Sequence, residues 1–433
     1  MSAIATVVFA VILFRTAWIS DDAAITLRTV LNVTHGFGLT FNIAERVQTY
    51  THPLWMGLLT IGYLVIRNVY ITTFAIALIL SILAFWVALT RALSSFQAIS
   101  ASIVLLFSAA FVDFSTSGLE NPLLNVLMAA FAGLFLNTTM SRLRRLTLLC
   151  MVASLLYLTR PDAVLVAAPL LAVANWRAGN ARMVLKSIVL GSLPAIGWTI
   201  FALIYYGFPF PNTGYAKLAT GIDPGELRAQ GVLYLLDSLD RDPITLTAIA
   251  IATVVAAFQR SVAPRALAAG VILYLGYIIS IGGDFMAGRF LALPVFASVL
   301  LMTRFVGSSK PLWGTTAGVL LIVGCTATHV PLWSNSRNVD ASPKPSGIVD
   351  ERAVYFRERS LALARRGTFR DPDWPSSPCS KVCPSPPPTA SSLSWGPTRR
   401  RISRSSQSAS RISSSGKRGK RRSKSSESTP LRR

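Results

Sequence analysis

"PLWMGLLTIGYLVI", Pro53–Ile66, is the stretch on which the topology of this chain turns: it carries no charge and is apolar enough to enter a bilayer, yet it is shorter than the ~20 residues that cross one. Counted as a span, it scatters acidic residues to both sides of the membrane. Counted as a helix lying in or dipping into the interface, it leaves eleven apolar runs, at 3–19, 71–89, 98–114, 122–136, 146–158, 163–176, 184–205, 244–258, 267–281, 291–302 and 312–328. Alternate loops then hold Arg91, Arg142, Arg144, Arg145, Arg177, Arg182, Lys186, Arg260, Arg265, Arg304 and Lys310 on one side with no acid. Every acid before residue 334 falls on the other side: Asp21, Asp22, Glu45, Asp113, Glu120, Asp162, Asp223, Glu226, Asp237, Asp240, Asp242 and Asp284. The positive-inside rule makes the basic side cytoplasmic, so the polar, motif-rich loops share the extracytoplasmic face.

Composition agrees with that architecture. The 433 residues are 52% hydrophobic and 14% charged, with a mean hydropathy of +0.51, above any ordinary water-soluble domain. The expected fold class is an all-α polytopic membrane protein with about eleven transmembrane helices. The apolar start of the chain lacks the basic region and cleavage site of a secretory signal and reads as a retained first span. A net charge of +23 suggests nucleic acid, but residues 334–433 carry 22 of the 42 basic and 7 of the 19 acidic residues, so +15 of that charge sits in the tail. An extracytoplasmic tail meets no nucleic acid. Cys150, Cys325, Cys379 and Cys383 are too scattered for a disulfide framework or a zinc site. A simple transporter is expected to show inverted repeats with interrupted helices and ionisable groups at mid-membrane depth, and neither is visible in the sequence.

The polar loops supply the candidate chemistry. In "WISDDAAITLR" (residues 18–28) Ser20 is a plausible cap for a helix running to about His35, with Asp21 and Asp22 in its first turn, where the helix dipole favours acids. That accounts for one aspartate. A second adjacent carboxylate is expected to repel the first, raising one pKa for proton abstraction or holding a divalent cation between them. "NIAERVQTYTHPLW" adds Glu45, Arg46, Tyr50 and His52, read either as a salt-bridged loop with interface aromatics or as part of a site. Glu120 precedes Pro122, and its plainer reading is an acid at a helix start. Arg160 and Asp162 in "LTRPD" interrupt two apolar runs: a phosphate clamp, or a snorkelling pair. Asn212, Tyr215 and Lys217 lie in "NTGYAKL". Asp284 and Arg289 flank a glycine-rich bend that could let backbone amides approach a ligand. Together these offer carboxylates, cations for a phosphate, and aromatics with Asn for a sugar, the set that a lipid-phosphate substrate at the water line requires.

The order DDA(x)IT, GxGLxxNxxERVxxYTxPLW, TSGLExP, LTRPD, YYGxxxPNTxYAK, GGDFMxGRF and DERAVYF (residues 350–356) resembles the actinobacterial terminal arabinofuranosyltransferases, over roughly residues 15–360. That resemblance implies a C-type glycosyltransferase fold with juxtamembrane helices in the first external loop (20–70), in agreement with the charge sorting. It implies transfer of arabinofuranose from decaprenyl-phosphoryl-arabinose to cell-wall arabinan, of arabinogalactan or lipoarabinomannan, by a multi-pass protein of the bacterial inner membrane. Its partners would be the lipid-linked donor, the arabinan acceptor and the bilayer. Carried over, it makes Asp21 and Asp22 the catalytic pair, one acting on the acceptor hydroxyl or holding a cation, and lines the substrate cavity with Arg28, Glu45, Arg46, Tyr50, His52, Glu120, Asp162, Asn212, Tyr215, Asp284 and Arg289. Charge and position assign phosphate contact to Arg160, Lys217 and Arg289. Inversion would ask for one base and retention for a carboxylate nucleophile, and both stay open. The alternative function is a non-catalytic protein that binds or translocates a polyprenyl-phosphate sugar.

Two departures stand out. Ala24 occupies a position where the family pattern has an aromatic. After the DERAVYF motif the family continues into a folded extracytoplasmic domain, whereas here residues 334–370 begin such a region and 371–433 turn into Ser/Arg/Pro-rich sequence, expected to be disordered. The readings of that tail are a polyanion- or anionic-lipid-binding segment and, favoured by the abruptness of the change, a shifted frame in a GC-rich gene. Residues 1–333 then form the membrane module, and loss of the acceptor-binding domain would leave this copy inactive.

Overall fold

The computed structural model describes residues 1–212, 214, 221–307, 309–328, 330–334, 346–365, 367–372 and 374. Tyr215, Lys217, Cys379, Cys383 and the basic tail lie outside the described residues, which are helical and contain no strand, with isolated bridges at Trp18–Ser360 and Met286–Val349. In chain order the helices are α1 (Ser2–Thr16), α2 (Asp21–Thr34), α3 (Pro53–Ile66), α4 (Val69–Thr90), α5 (Ser95–Phe107), α6 (Ala109–Asp113), α7 (Asn121–Leu136), α8 (Arg142–Thr159), α9 (Val164–Ala178), α10 (Ala181–Gly191), α11 (Leu193–Tyr206), α12 (Pro224–Arg241), α13 (Pro243–Ala257), α14 (Val262–Ser280), α15 (Ala292–Leu300), α16 (Lys310–Cys325) and α17 (Glu351–Arg359).

Local chemistry sets most of these boundaries. Ser20 caps α2 by accepting from the Ala23 amide at 3.2 Å, Asn68 caps α4 by accepting from Ile71 at 2.9 Å, and Asp350 caps α17 by accepting from Ala353 at 3.0 Å. Proline opens α3, α7, α11, α12 and α13 in the first turn, where its missing N–H costs nothing. The apolar run 53–66 is one helix that turns into α4 through Arg67 in the left-handed region, at φ 58°. Its Ile61, Leu64 and Val65 face outward while Trp55, Met56 and Leu59 are buried.

Three apolar runs depart from the sequence reading, and the interruptions unseen in the sequence are present. The run 98–114 breaks at Ser108, whose hydroxyl caps α6 by accepting from Phe111 at 3.1 Å and meets Thr245 at 2.5 Å. The run 184–205 bends by 48° between α10 and α11, at Ser192, because Pro194 cannot extend a helix from its N-terminal side. The run 291–302 ends in a π turn over Leu301–Phe305. By length and apolarity two described helices can cross a membrane, α4 and α14, or three if the bent α10–α11 pair counts as one span. Six more, α1, α3, α5, α7, α13 and α16, are shorter apolar helices. Hydropathy windows run across caps and breaks, which is why the apolar runs exceed the helices they contain.

The helices pack as neighbours along the chain and across it: α4 against α7 and α1, α8 against α10, α9 against α14, α5 against α16. Between helices in hydrocarbon, close packing rather than transfer from water supplies the attraction, and aromatic contacts serve here, with Phe9 stacked on Phe85 at 4.3 Å and Phe111 parallel to Phe296 at 5.8 Å. The segment beginning at Ser346 then folds back over α2 and the start of α4. Leu361 donates to the Ala17 carbonyl at 3.0 Å, Ile19 to Arg359 at 3.3 Å, Val69 to the Asp371 carboxylate at 2.9 Å, and Trp374 to Asn32 at 3.2 Å.

Candidate active site

Asp21 and Asp22 begin α2 as the sequence predicts, but successive helical residues do not face each other and their carboxylates diverge. Asp21 Oδ1 accepts from its neighbour's amide at 2.8 Å, and Oδ2 accepts from the Tyr355 hydroxyl at 2.7 Å. Asp22 Oδ2 accepts from Arg289 at 3.3 Å while a third of its side chain stays exposed. Glu351 of α17 lies beside them: burial first, then repulsion from Asp21 and Asp22, push its carboxyl up to about 9. A cation between the aspartates does not fit this donor set. Arg289 already provides the positive charge at Asp22, and among the described residues no group of three or more His, Cys, Asp or Glu side chains could hold a metal ion.

Behind the pair lies a buried ionic chain. Glu120, fully buried, does not cap α7. Its carboxylate lies 3.5 Å from Arg289, 3.4 Å from His52 Nδ1 and 3.7 Å from Arg160 Nε. Burial alone would raise its pKa, but Arg289, His52 and Arg160 outweigh burial and hold it at about 2. Arg160 reaches Asp162 with two hydrogen bonds, of 3.1 and 2.6 Å, its guanidinium lies 4.5 Å from the centre of the Phe290 ring, and Tyr274 donates to Asp162 at 2.8 Å. Arg289 also pairs with Asp284 at 3.5 Å. Burial lowers the pKa of His52 against the pull of Glu120, with Arg289 and Arg160 acting in the same direction as burial. The neutral ring can then accept from Thr26 at Nε2, 2.7 Å away, while Nδ1 meets the Thr51 hydroxyl at 3.4 Å. Four carboxylates thus face two guanidiniums. That excess of negative charge opposes the phosphate role that charge alone suggests for Arg160 and Arg289, and makes both holders of carboxylates.

The structure therefore unites Asp21, Asp22, His52, Glu120, Arg160, Asp162, Asp284 and Arg289. The remaining candidates sit elsewhere. Arg28 is buried, donating to the Phe41 carbonyl at 2.7 Å with its guanidinium over Phe41 and Trp374. Glu45 is exposed and accepts from Asn42 at 2.6 Å. Tyr50 bonds Tyr206 of α11 at 2.8 Å, and the Asn212 amide donates to Gln48 at 3.2 Å, so both tie the first loop to α11 and the segment just after it. Arg46 is exposed over the Tyr205 ring at 5.0 Å and has no ion pair among the described residues.

The glycine-rich bend is occupied by protein rather than open to a ligand. Gly283, at φ 74°, lies against the Tyr234 ring, whose hydroxyl donates to Met286 and accepts from Phe290, both at 3.1 Å. Tyr234, Tyr274, Glu351, Tyr355 and Thr26 were not singled out from sequence. The DERAVYF motif flagged two of them, without saying that they return to residue 21.

Two consequences are measurable here. Folded, Glu351 keeps its proton up to about pH 9, whereas the ordinary value is 4.5; the folded state binds more protons across that window, so stability falls as pH rises through it. Glu351→Gln, which mimics the protonated acid, is expected to exceed the parent by on the order of 1 kcal/mol or more near pH 8 and to match it near pH 5. Thermal midpoints of both proteins across pH 5–9 check this, and parallel curves would refute it. The second concerns Gly118, at φ 83°, where a Cβ would lie 2.8 Å from the Ala23 Cβ. Gly118→Ala is expected to cost about 1–3 kcal/mol by straining this turn against α2; an unchanged thermal midpoint would contradict that packing.

No protein-family model matches the chain. It is 30% identical over 404 residues to the terminal beta-(1->2)-arabinofuranosyltransferase of Mycobacterium tuberculosis, with 78% of this chain and 62% of that protein covered. The corresponding protein of Corynebacterium glutamicum is 29% identical over 343 residues, covering 65% and 47%. The chain thus spans less than two thirds of the length of either relative. Among solved structures it is similar in fold to ArnT from Cupriavidus metallidurans bound to undecaprenyl phosphate, at a TM-score of 0.50 and 14% identity, covering 79% of this chain and 66% of that one. This is a helical membrane protein, and by its sequence relatives the chain belongs to the actinobacterial terminal arabinofuranosyltransferase family.

Proposed function

We propose that the protein is a glycosyltransferase of the bacterial inner membrane, crossing it eleven times, that moves arabinofuranose from decaprenyl-phosphoryl-arabinose to an arabinan acceptor on the extracytoplasmic face. The observation that carries this reading is the Asp21–Asp22 pair at the start of α2, held by Tyr355 and Arg289 with Asp22 still partly open, in a chain whose relatives are named for arabinofuranosyl transfer. In the step proposed, the acceptor oxygen bonds to C1 of the sugar and the C1–O bond to phosphate breaks. The acceptor proton passes to the Asp22 carboxylate, and polyprenyl phosphate leaves. Arg289 orients Asp22, and Tyr355 and protonated Glu351 hold Asp21. Exposed Arg46, together with Lys217 on sequence grounds, supplies the positive charge for the departing phosphate.

An apolar cavity of about 550 Å³, lined among others by Ala153, Tyr157, Val164, Leu171, Ile196 and Ile200, suits a prenyl chain, and ArnT was solved with a lipid phosphate of that class. The test is transfer of labelled arabinose from the lipid-linked donor to an arabinan oligosaccharide by the purified full-length chain. Appearance of the extended product supports the reading. Binding or flipping of the donor with no transfer to any acceptor would replace it with the carrier-protein alternative.

A further inference from the structure

A second cavity, of about 560 Å³, opens at the other end of the α4–α7 pair from Glu120. Glu120 precedes the first residue of α7 and Leu136 is its last, so the cavity mouth lies about 24 Å further along the helix, at 1.5 Å per residue. That distance approaches the thickness of the hydrocarbon layer. The two sites thus lie toward opposite ends of the α4–α7 pair.

The chemistry of this cavity differs from that of the carboxylate-rich site. Its walls include Leu83, Val87 and Leu136, and its polar lining is Arg91, Asn137 and Arg304. Arg304 is set by the π turn that ends the α15 segment. It is nine-tenths buried, donates to the Val87 carbonyl at 3.0 Å and the Ala129 carbonyl at 3.4 Å, and its Nε has no hydrogen-bond partner. Arg91 is exposed at the rim. A third guanidinium, Arg145, bonds the Asn137 carbonyl at 2.9 Å, and its Nε is likewise without a partner. Among the described residues none of the three makes an ion pair. The leucines on the walls are open to the outside, Leu83 by 43% and Leu136 by 41%, where a bilayer would meet them.

A buried guanidinium with an unmet donor, a second at the rim and apolar walls open to lipid match one chemical class of ligand. We propose that this cavity binds the phosphate headgroup of an anionic membrane lipid, with Arg304 and Arg91 on the phosphate and an acyl chain along α4 and α7. Guanidinium forks suit phosphate oxygens, and a lipid phosphate brings the negative charge that the surrounding loops lack. The site is independent of the transfer reaction: it would hold a lipid whether or not the protein moves a sugar.

The experiment is native mass spectrometry of the detergent-purified full-length chain, titrated separately with phosphatidylglycerol, phosphatidylcholine and inorganic phosphate. Phosphatidylglycerol is expected to remain bound where phosphatidylcholine is lost. Arg304→Gln and Arg91→Gln are each expected to weaken its retention about fivefold, and Arg265→Gln, an exposed arginine elsewhere, to leave it unchanged. Should Arg304→Gln fail to fold, Arg91→Gln at the exposed rim still decides the question. Equal retention of the two lipids, or undiminished retention in the folded arginine variants, would overturn the proposal. Displacement of phosphatidylglycerol by millimolar inorganic phosphate would overturn the lipid assignment in favour of a free-anion site.

Discussion

Asp22→Asn is expected to slow sugar transfer about 10²–10⁴-fold, the range that a positioned general base contributes, while leaving the fold intact. The substitution keeps the size of the side chain and an oxygen that can accept from Arg289, 3.3 Å away, but removes the group that would take the acceptor proton. If Asp22 served the helix alone, the outcome would differ. A charge in the first turn of a helix contributes about 0.3–1 kcal/mol of stability, so the variant would melt slightly earlier and transfer sugar normally. Asp21→Asn is the paired measurement. Asp21 is engaged by Tyr355 and its neighbour's amide, so its loss should disturb positioning and slow transfer less than loss of Asp22. Transfer rates of the two purified variants, with melting curves alongside, separate these roles. If both variants matched the parent rate, neither aspartate would be the base.

Glu120→Gln is expected to destabilise the protein by about 3 kcal/mol, because it removes a buried charge that its neighbours hold ionised well below the ordinary carboxylate range, although Asp22, Asp284 and Asp162 still face the two guanidiniums. On a chain of this size that corresponds to a fall in thermal midpoint of about 3–4 °C. Arg289, His52 and Arg160 all lie within 3.7 Å of the Glu120 carboxylate, and their pull holds its pKa at about 2 against an ordinary 4.5. A carboxylate with a lowered pKa stabilises the fold fully above its ordinary value. That contribution fades as pH falls from 4.5 toward 2, so the parent should lose stability over this window and the Gln variant should lose less. Glu120→Asp, which keeps the charge but shortens the reach, should fall between the two. A midpoint for Glu120→Gln within a degree or two of the parent would show that the ionic chain does not support the fold. In the Gln variant Arg289 loses one of its three carboxylates, and Asp22 should be less well oriented for transfer.

These two residues also show how far the sequence could be read. For Asp22 the sequence was enough to place the helix start, because a cap at Ser20 and acids in the first turn are settled within a few neighbouring residues. For Glu120 the same local logic misled. A glutamate just before Asn121 and Pro122 looks like a helix-end acid, yet its side chain turns inward to partners at residues 52, 160 and 289. Arg28, which the resemblance places in the substrate cavity, sets its planar head over Phe41 and Trp374, a contact across the chain that no local pattern announces.

The sequence by itself determined the helical, membrane-embedded class, the start of α2 and the family resemblance. Each of these rests on composition or on residues a few positions apart. Only the tertiary structure decided that Glu351 and Tyr355 return to Asp21, that Tyr234 fills the glycine bend, and that Arg289 ties Asp22 to the buried Glu120. It also placed the breaks at Ser108 and Ser192 and gathered Arg91 with Arg304 at the far end of α4 and α7. The physical reason is range. Capping and hydropathy act between neighbours in the chain, whereas the charge felt by a buried carboxylate is set by groups that packing brings together from hundreds of residues away.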